Sequence, residues 1–332
     1  MQVCTPSYID KYQSGLIEKR IDKLLSILNS CTLCPHECRV NRLNEEKGIC
    51  QAGDSVSISS AFPHFGEEPP LVGRRGSGTI FFANCNLRCV FCQNHDISHR
   101  VNGTEVTQER LAELMLYLQG VGCLNINFVT PTHYASQIVQ ALPLAIKMGL
   151  NVPLVWNCSG YDSLEVIKLL DGIVDIYMPD VKFGDLENAR RFTTGWQGHN
   201  QRGYCPDTQQ KLCQKNKVTQ VSNTAHNYFE NVKPVLKEMY RQVGNLELDD
   251  NGIAVKGLLV RHLVMPKNRA GSKKILKFIA EEVSQDTYIN LMGQYRPAFQ
   301  AFKYPDINRN ITTEEYNEVL LYAREVGLYR GF

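Results

Sequence analysis

Residues Thr79-Ile80-Phe81-Phe82-Ala83-Asn84-Cys85-Asn86-Leu87-Arg88-Cys89-Val90-Phe91-Cys92 place three thiols directly after a short apolar run. A run of that length and composition reads as a buried strand, so Cys85, Cys89 and Cys92 lie on the loop that leaves its end. Three cysteines spaced Cys-x-x-x-Cys-x-x-Cys form a metal-ligating pattern rather than three unrelated core thiols. Soft thiolates at this density suit an iron-sulfur cluster. Such clusters are normally held by four cysteines, so three leave one iron open to another ligand.

A second thiol group precedes the first. Cys31-Thr32-Leu33-Cys34-Pro35-His36-Glu37-Cys38 and Gly48-Ile49-Cys50 supply four more cysteines, with His36 as a spare ligand and Gly48 marking a turn that returns the last thiol. The spacing fits neither a standard zinc finger nor a ferredoxin; zinc, a second iron-sulfur cluster and free or redox-active thiols all stay open. Seven of the 12 cysteines thus fall in two close-set groups of a 332-residue chain. That usage belongs to a reducing compartment, and the expected location is cytoplasmic. A net charge of +2 without a basic run gives no footprint for nucleic acid or an anionic membrane. Neither a signal peptide nor an apolar stretch long enough to span a bilayer is present, so no membrane is expected. Proteins or small molecules remain as partners.

Beyond residue 78 the pattern alternates between strand and helix. Strands are expected at 79–82, 125–130, 152–156, 174–178, 257–264 and 288–292, separated by amphipathic helical stretches, with Asp162 and Thr312 as helix caps. Six βα units imply a parallel sheet in an open (β/α)6 barrel, whose ligands gather at the C-terminal ends of the strands. Residues 1–60 form a helical, cysteine-rich segment with a seam near residue 60. The Pro- and Gly-rich stretch 61–78 reads as an irregular approach to a barrel domain spanning 61–332, and the polar, aperiodic stretch at about 193–226 reads as a surface insertion.

The triplet, with an aromatic Phe91 before its last cysteine, resembles that of the radical SAM superfamily. In that family three such cysteines hold a 4Fe-4S cluster and S-adenosylmethionine (SAM) chelates the fourth iron. Roughly residues 75–332 outside the insertion carry the resemblance. With the cysteine-rich N-terminus it extends to an uncharacterised subgroup labelled pyruvate formate-lyase activating enzyme-like. It implies a partial (β/α)6 radical SAM barrel with a small cysteine-rich N-terminal segment. Met178, Asp180 and Lys182 after the fourth strand match an Asp-x-Lys that meets the SAM methionine or a nearby cation site. Asn157 and Cys158 match a Thr-Asn-Gly region, and Arg261 matches an arginine on SAM, with His262 a structural histidine on the opposite face.

Two positions depart from that pattern. Phe128-Val129-Thr130-Pro131-Thr132-His133 stands where Gly-Gly-Glu is common, and Met292-Gly293-Gln294 where the activators have a histidine; Thr130 and Gln294 are carried as cofactor contacts. The implied activity is reductive cleavage of SAM to a 5′-deoxyadenosyl radical that abstracts hydrogen, fed by an electron donor such as flavodoxin or ferredoxin. A glycine of a glycyl radical enzyme is one implied substrate; a small molecule or another peptide side chain is the alternative. A non-enzymatic iron-sulfur or zinc protein would explain the cysteines but not Asp180, Lys182 and Arg261.

Overall fold

The computed structural model describes residues 5–100, 102–193 and 227–332; the expected insertion, with Cys205 and Cys213, lies outside them except for Thr193. Nine strands form one sheet: β1 (Val56–His64), β2 (Ser77–Phe82), β3 (Thr104–Val106), β4 (Ile126–Val129), β5 (Leu154–Cys158), β6 (Ile176–Pro179), β7 (Glu247–Leu248), β8 (Ala254–Leu263) and β9 (Tyr288–Met292). The order is β3-β1-β2-β4-β5-β6-β8-β7, with β9 also pairing β8. β2, β4, β5, β6, β8 and β9 run parallel. These are the six strands expected from the alternation, and they make an open, parallel-rich α/β barrel with the cysteine-rich region before it. β1, β3 and β7 are antiparallel additions at the margins.

Alternate residues along the parallel strands face opposite layers. Trp156, Cys158, Tyr177, Leu258 and Val260 join the large core under the helices. Val155, Ile176, Met178 and Leu259 point the other way and close around Leu71. Leu71 belongs to the short helix Pro69–Val72, so the segment between β1 and β2 plugs the inner face of the barrel. Asn125 fixes that plug: its Nδ2 donates to the Leu71 carbonyl at 2.7 Å, and its Oδ1 accepts from Ser77 Oγ at 2.7 Å.

The structure adds detail to three expectations. Residue 60 falls inside β1, which pairs with the barrel strand β2, so the stretch after it is less irregular than its Pro and Gly content implies. The N-cap position of the helix Leu164–Leu169 is Ser163, not Asp162, and no side chain caps it. The Asp162 carboxylate instead accepts from Thr132 Oγ1 at 2.8 Å and Trp156 Nε1 at 3.2 Å, a stronger claim on a buried acid than an exposed helix end. Thr312 and Glu315 do form the reciprocal capping box of Thr313–Glu325. No helix among the described residues is long and apolar enough to cross a membrane.

Candidate metal and cofactor site

Just past β2 the chain turns sharply, with left-handed backbone at Asn84 (φ 75°) and Arg88 (φ 47°). Asn84 N–H donates to the Ile97 carbonyl (3.0 Å), Val90 N–H to Phe192 (3.0 Å) and Cys92 N–H to Cys89 (3.1 Å). These bonds fold Cys85, Cys89 and Cys92 into one loop. Cys89 lies in the field of both other thiols. Phe91 is buried between Phe183 and Tyr295 and anchors the loop's end. Burial pushes the Cys85 thiol up, opposed by the backbone N–H groups of Arg88 and Leu87. Burial likewise raises Cys89, opposed by the Lys182 ammonium.

Unligated, Cys85 and Cys89 stay protonated near neutral pH, yet donors and a cation face them as a thiolate requires. The donor set fits an iron-sulfur cluster. Among the described residues no group of three or more His, Cys, Asp or Glu side chains stands in a metal-holding arrangement, so the fit rests on the chemistry of the three thiols and the donors facing them.

Next to the loop is a network built from the strand ends. Arg261 Nε donates to Asp180 Oδ1 at 2.6 Å, its second Nη donates to Asn157 Oδ1 at 2.7 Å, and its first lies 3.3 Å from Glu67 Oε2. Lys182 Nζ donates to the other Asp180 oxygen at 2.5 Å. Burial would raise the Asp180 carboxyl, but Arg261 and Lys182 outweigh it and hold the group below its ordinary value. Burial works against the Lys182 charge as well; Asp180 and then Cys89 overcome it, so its pKa is raised. Lys182 therefore joins the strand-end network to the thiol loop.

The other expected residues divide. Met178 faces the inner core beneath this network. Cys158, adjacent to Asn157 on β5, faces the opposite way into the large core, where Gly160 N–H donates to its sulfur at 3.4 Å. Thr130 closes β4 with φ 60°, an unusual conformation for a β-branched residue, and its N–H donates to the Asn157 carbonyl at 2.8 Å. Gln294 is exposed just beyond β9. His262 is neutral and engaged on both sides, by the Val181 carbonyl (2.7 Å) and Ser272 Oγ (2.8 Å), with burial lowering its pKa to about 4.

Three network members were not anticipated. Glu67 and Glu68 enter from the plug, with Glu68 Oε1 accepting from Asn290 Nδ2 at 2.8 Å and Oε2 lying 3.7 Å from Arg261. Burial raises Glu67 to about 7, opposed by Arg261 and reinforced by Glu68 and Asp180. Tyr228 is the third: its hydroxyl contacts the Ser159 and Asp180 carbonyls at 2.8 and 3.1 Å and accepts from Lys182 N–H at 3.0 Å. A buried Arg and Asp demand partners, which was the available signal, but sequence does not say which distant acids answer it.

The N-terminal thiols line one cavity together with Arg42, Gly48 and His133. Cys34 is raised by burial and by the charges of Cys50, Cys38 and Cys31, which shows the four to be neighbours. His36, expected as a spare ligand, is buried, and its Nε2 bonds to the Asn86 carbonyl in the thiol loop at 2.8 Å. Arg88 lies within the fields of both Cys85 and Cys50. None of the nine described cysteines is in a disulfide.

Residues 79–202 match the Radical SAM superfamily. An uncharacterized protein of Methanocaldococcus jannaschii is 31% identical over 330 residues, covering 96% of this chain and 82% of the relative. Among solved structures, HydG, a maturase of the [FeFe]-hydrogenase, superposes with a TM-score of 0.45 at 14% identity. That alignment covers 74% of this chain, which spans about half (48%) of the HydG chain.

Proposed function

Since the chain belongs to the radical SAM superfamily, we propose that Cys85, Cys89 and Cys92 hold a 4Fe-4S cluster and that Asn157, Asp180, Lys182 and Arg261 receive SAM beside it. The observation that carries this reading is the double engagement of Lys182, bonded to Asp180 and within the field of Cys85 and Cys89. A structural metal site has no need of a buried cation tied to a strand-end carboxylate. When bound, a reduced cluster and SAM supply a 5′-deoxyadenosyl radical that takes a hydrogen atom from substrate, with one electron drawn from a donor such as flavodoxin or ferredoxin.

The chain's own residues do the positioning. Asp180, kept ionised by Arg261 and Lys182, offers an anionic acceptor for the SAM amino group. Asn157 is held by Arg261 at the end of β5, and Tyr228 fixes the backbone from Asp180 to Lys182. Within this reaction class a glycyl radical enzyme is one substrate and a small molecule or another peptide side chain the other. Thr130, Thr132 and His133 favour the second. They belong to the stretch Phe128–His133 that stands where Gly-Gly-Glu is common, and Thr132 and His133 are spent on Asp162 and the Ala83 carbonyl.

The N-terminal thiols are proposed as a second metal centre, structural or electron-relaying, and the unpaired cysteines fit a cytoplasmic protein. Anaerobic reconstitution with iron and sulfide, followed by assay for 5′-deoxyadenosine from SAM, tests the central reading. Formation is expected in the native chain and its loss in Cys85→Ala, Cys89→Ala or Cys92→Ala; cleavage persisting in any of these variants overturns it.

A further inference from the structure

Resting on the reading that Cys92 ligates the cluster, we propose that Ser98 is a positioning residue for it: the Ser98 hydroxyl donates a hydrogen bond to the Cys92 sulfur, is aimed there by His99, and so raises the potential at which the cluster accepts its electron. Ser98 Oγ lies 3.2 Å from Cys92 Sγ and 2.8 Å from His99 Nδ1. Sulfur, hydroxyl and imidazole thus form one chain, with the hydroxyl residue buried.

The direction of the chain follows from a count of protons. A ligating thiolate only accepts, so the single hydroxyl proton of Ser98 is the one that can serve it. Ser98 Oγ then offers lone pairs, and the group that answers them is an N–H at His99 Nδ1. His99 carries one ring proton at neutral pH: burial and then the Arg88 guanidinium lower its pKa to about 4, against a smaller upward pull from the Arg88 backbone. Its Nε2 makes no hydrogen bond among the described residues, so a proton placed there would be buried without an acceptor, and Nδ1 is the better seat for it.

The backbone holds this hydroxyl in place. Ser98 ends the short helix His95–Ser98. Its N–H donates to the Asn94 carbonyl at 3.0 Å, the preceding Ile97 carbonyl accepts from Asn84 N–H at 3.0 Å, and the Arg88 guanidinium donates to the Ser98 and His99 carbonyls at 3.4 Å each. Asn84 and Arg88 are the two left-handed residues that turn the thiol loop, so the same turns place both the sulfur and its donor. From the other side Phe299 packs on the imidazoles, its ring centroid 4.4 Å from that of His99 and 5.0 Å from that of His95. Phe299 has φ 51°, an outlier for a bulky residue, and the next N–H, of Gln300, donates to the Val90 carbonyl within the thiol loop at 2.8 Å. Strain of that kind persists where the surroundings over-determine it, and here it presses an aromatic ring onto His99.

The three thiols are therefore served by different groups. Cys85 faces the N–H groups of Arg88 and Leu87, and Cys89 faces Lys182. Cys92, half-buried, faces a hydroxyl. Reduction adds negative charge to a cluster, and a donor on a ligating sulfur stabilises the reduced form more than the oxidised one. The higher potential eases delivery of the electron from a donor of the flavodoxin or ferredoxin class.

The test is a redox titration of the full chain reconstituted with iron and sulfide, following the SAM-sensitive EPR signal before SAM is added. Ser98→Ala should keep the native iron content and lower the midpoint potential, with a fall in the reduction equilibrium on the order of tenfold, about 59 mV for a one-electron couple. Ser98→Thr keeps the hydroxyl and should restore the native value. His99→Phe keeps a ring against Phe299 but removes the donor that aims Ser98, and should lower the potential by a smaller step. Full iron with an unchanged potential in Ser98→Ala overturns the inference, as does an equal fall in Ser98→Ala and Ser98→Thr, which identifies packing as the cause. Should Ser98→Ala fail to fold, His99→Phe decides, and a native potential there refutes the chain. A native protein that takes up no iron and sulfide overturns the cluster reading itself, a failure distinct from these.

Discussion

Arg261 holds three acids and an amide in one place, so its removal has two separable effects. Arg261→Ala leaves Asp180, Glu67 and Glu68 close together and largely buried without their main cation, a situation that costs about 3–5 kcal/mol when a buried pair is broken. It also frees Asn157 and Asp180 from their set positions. Loss of one charge-assisted contact, about 1.5–3 kcal/mol, lowers SAM affinity roughly ten- to hundredfold by calorimetry, with iron content unchanged. Arg261→Lys does not restore it, because an ammonium cannot make the forked contact to Asp180 and Asn157. Unchanged affinity in a folded Arg261→Ala protein refutes the SAM assignment.

Glu67 adds a pH signature. Its carboxyl is raised from 4.5 to about 7, so the folded state binds this proton more tightly than the unfolded chain does. The associated stability is fully present below about 4.5 and is lost as pH rises through 7. Glu67→Gln imitates the protonated form, so its melting temperature relative to the native chain should rise from pH 5 to pH 8; a flat difference removes Glu67 from this role. Cys85, Asp180 and Arg261 were readable because each sits at a strand end next to a recognisable pattern. Glu67 was not, because its partner lies 194 residues away and Glu-Glu-Pro-Pro reads locally as loop.

At the scale of elements, the six parallel strands were readable because each is a short apolar run followed by a helical period. β1 was missed for a physical reason. Its sequence Val-Ser-Ile-Ser-Ser-Ala-Phe-Pro-His has weak alternation and contains a proline, a pattern that sheets accept mainly toward their margins. The plug helix Pro69–Val72 is too short for any periodicity to show, yet Leu71 is the contact that unites the inner faces of β5, β6 and β8. Leu71→Ala should cost about 2–5 kcal/mol, since a cavity in that position is enclosed by strands that cannot collapse onto it. Denaturant unfolding measures this directly, and a cost well below 1 kcal/mol means that the inner face is not packed around Leu71.

The whole molecule raises the question of whether residues 1–60 are a separate unit, as a seam near residue 60 suggests. Tyr8, Ile17, Leu24 and Leu28 are buried in the same core as the barrel's Val139, Leu142 and Ile167. Ser7 N–H donates to Asp175 Oδ1 at 2.9 Å, and Tyr8 hydroxyl to the Val152 carbonyl at 3.0 Å, so the first helix is tied to the approaches of β5 and β6. Further along, Ser163 N–H donates to the Leu33 carbonyl at 3.2 Å, and Asn86 accepts from His36 while its own amide donates to the Tyr161 carbonyl. The N-terminal segment therefore caps the helix layer and supports the thiol loop at the same time. A chain beginning at residue 55 would keep the barrel strands but expose the apolar surface under the helices Ser7–Gln13 and Leu16–Leu28, at about 25 cal/mol for every Å² uncovered. Such a truncated chain should lose its cooperative thermal transition, and iron added anaerobically should no longer be retained at Cys85, Cys89 and Cys92. A truncation that melts cooperatively and still takes up a SAM-responsive cluster would make the segment an independent appendage, and the seam near residue 60 a true domain boundary.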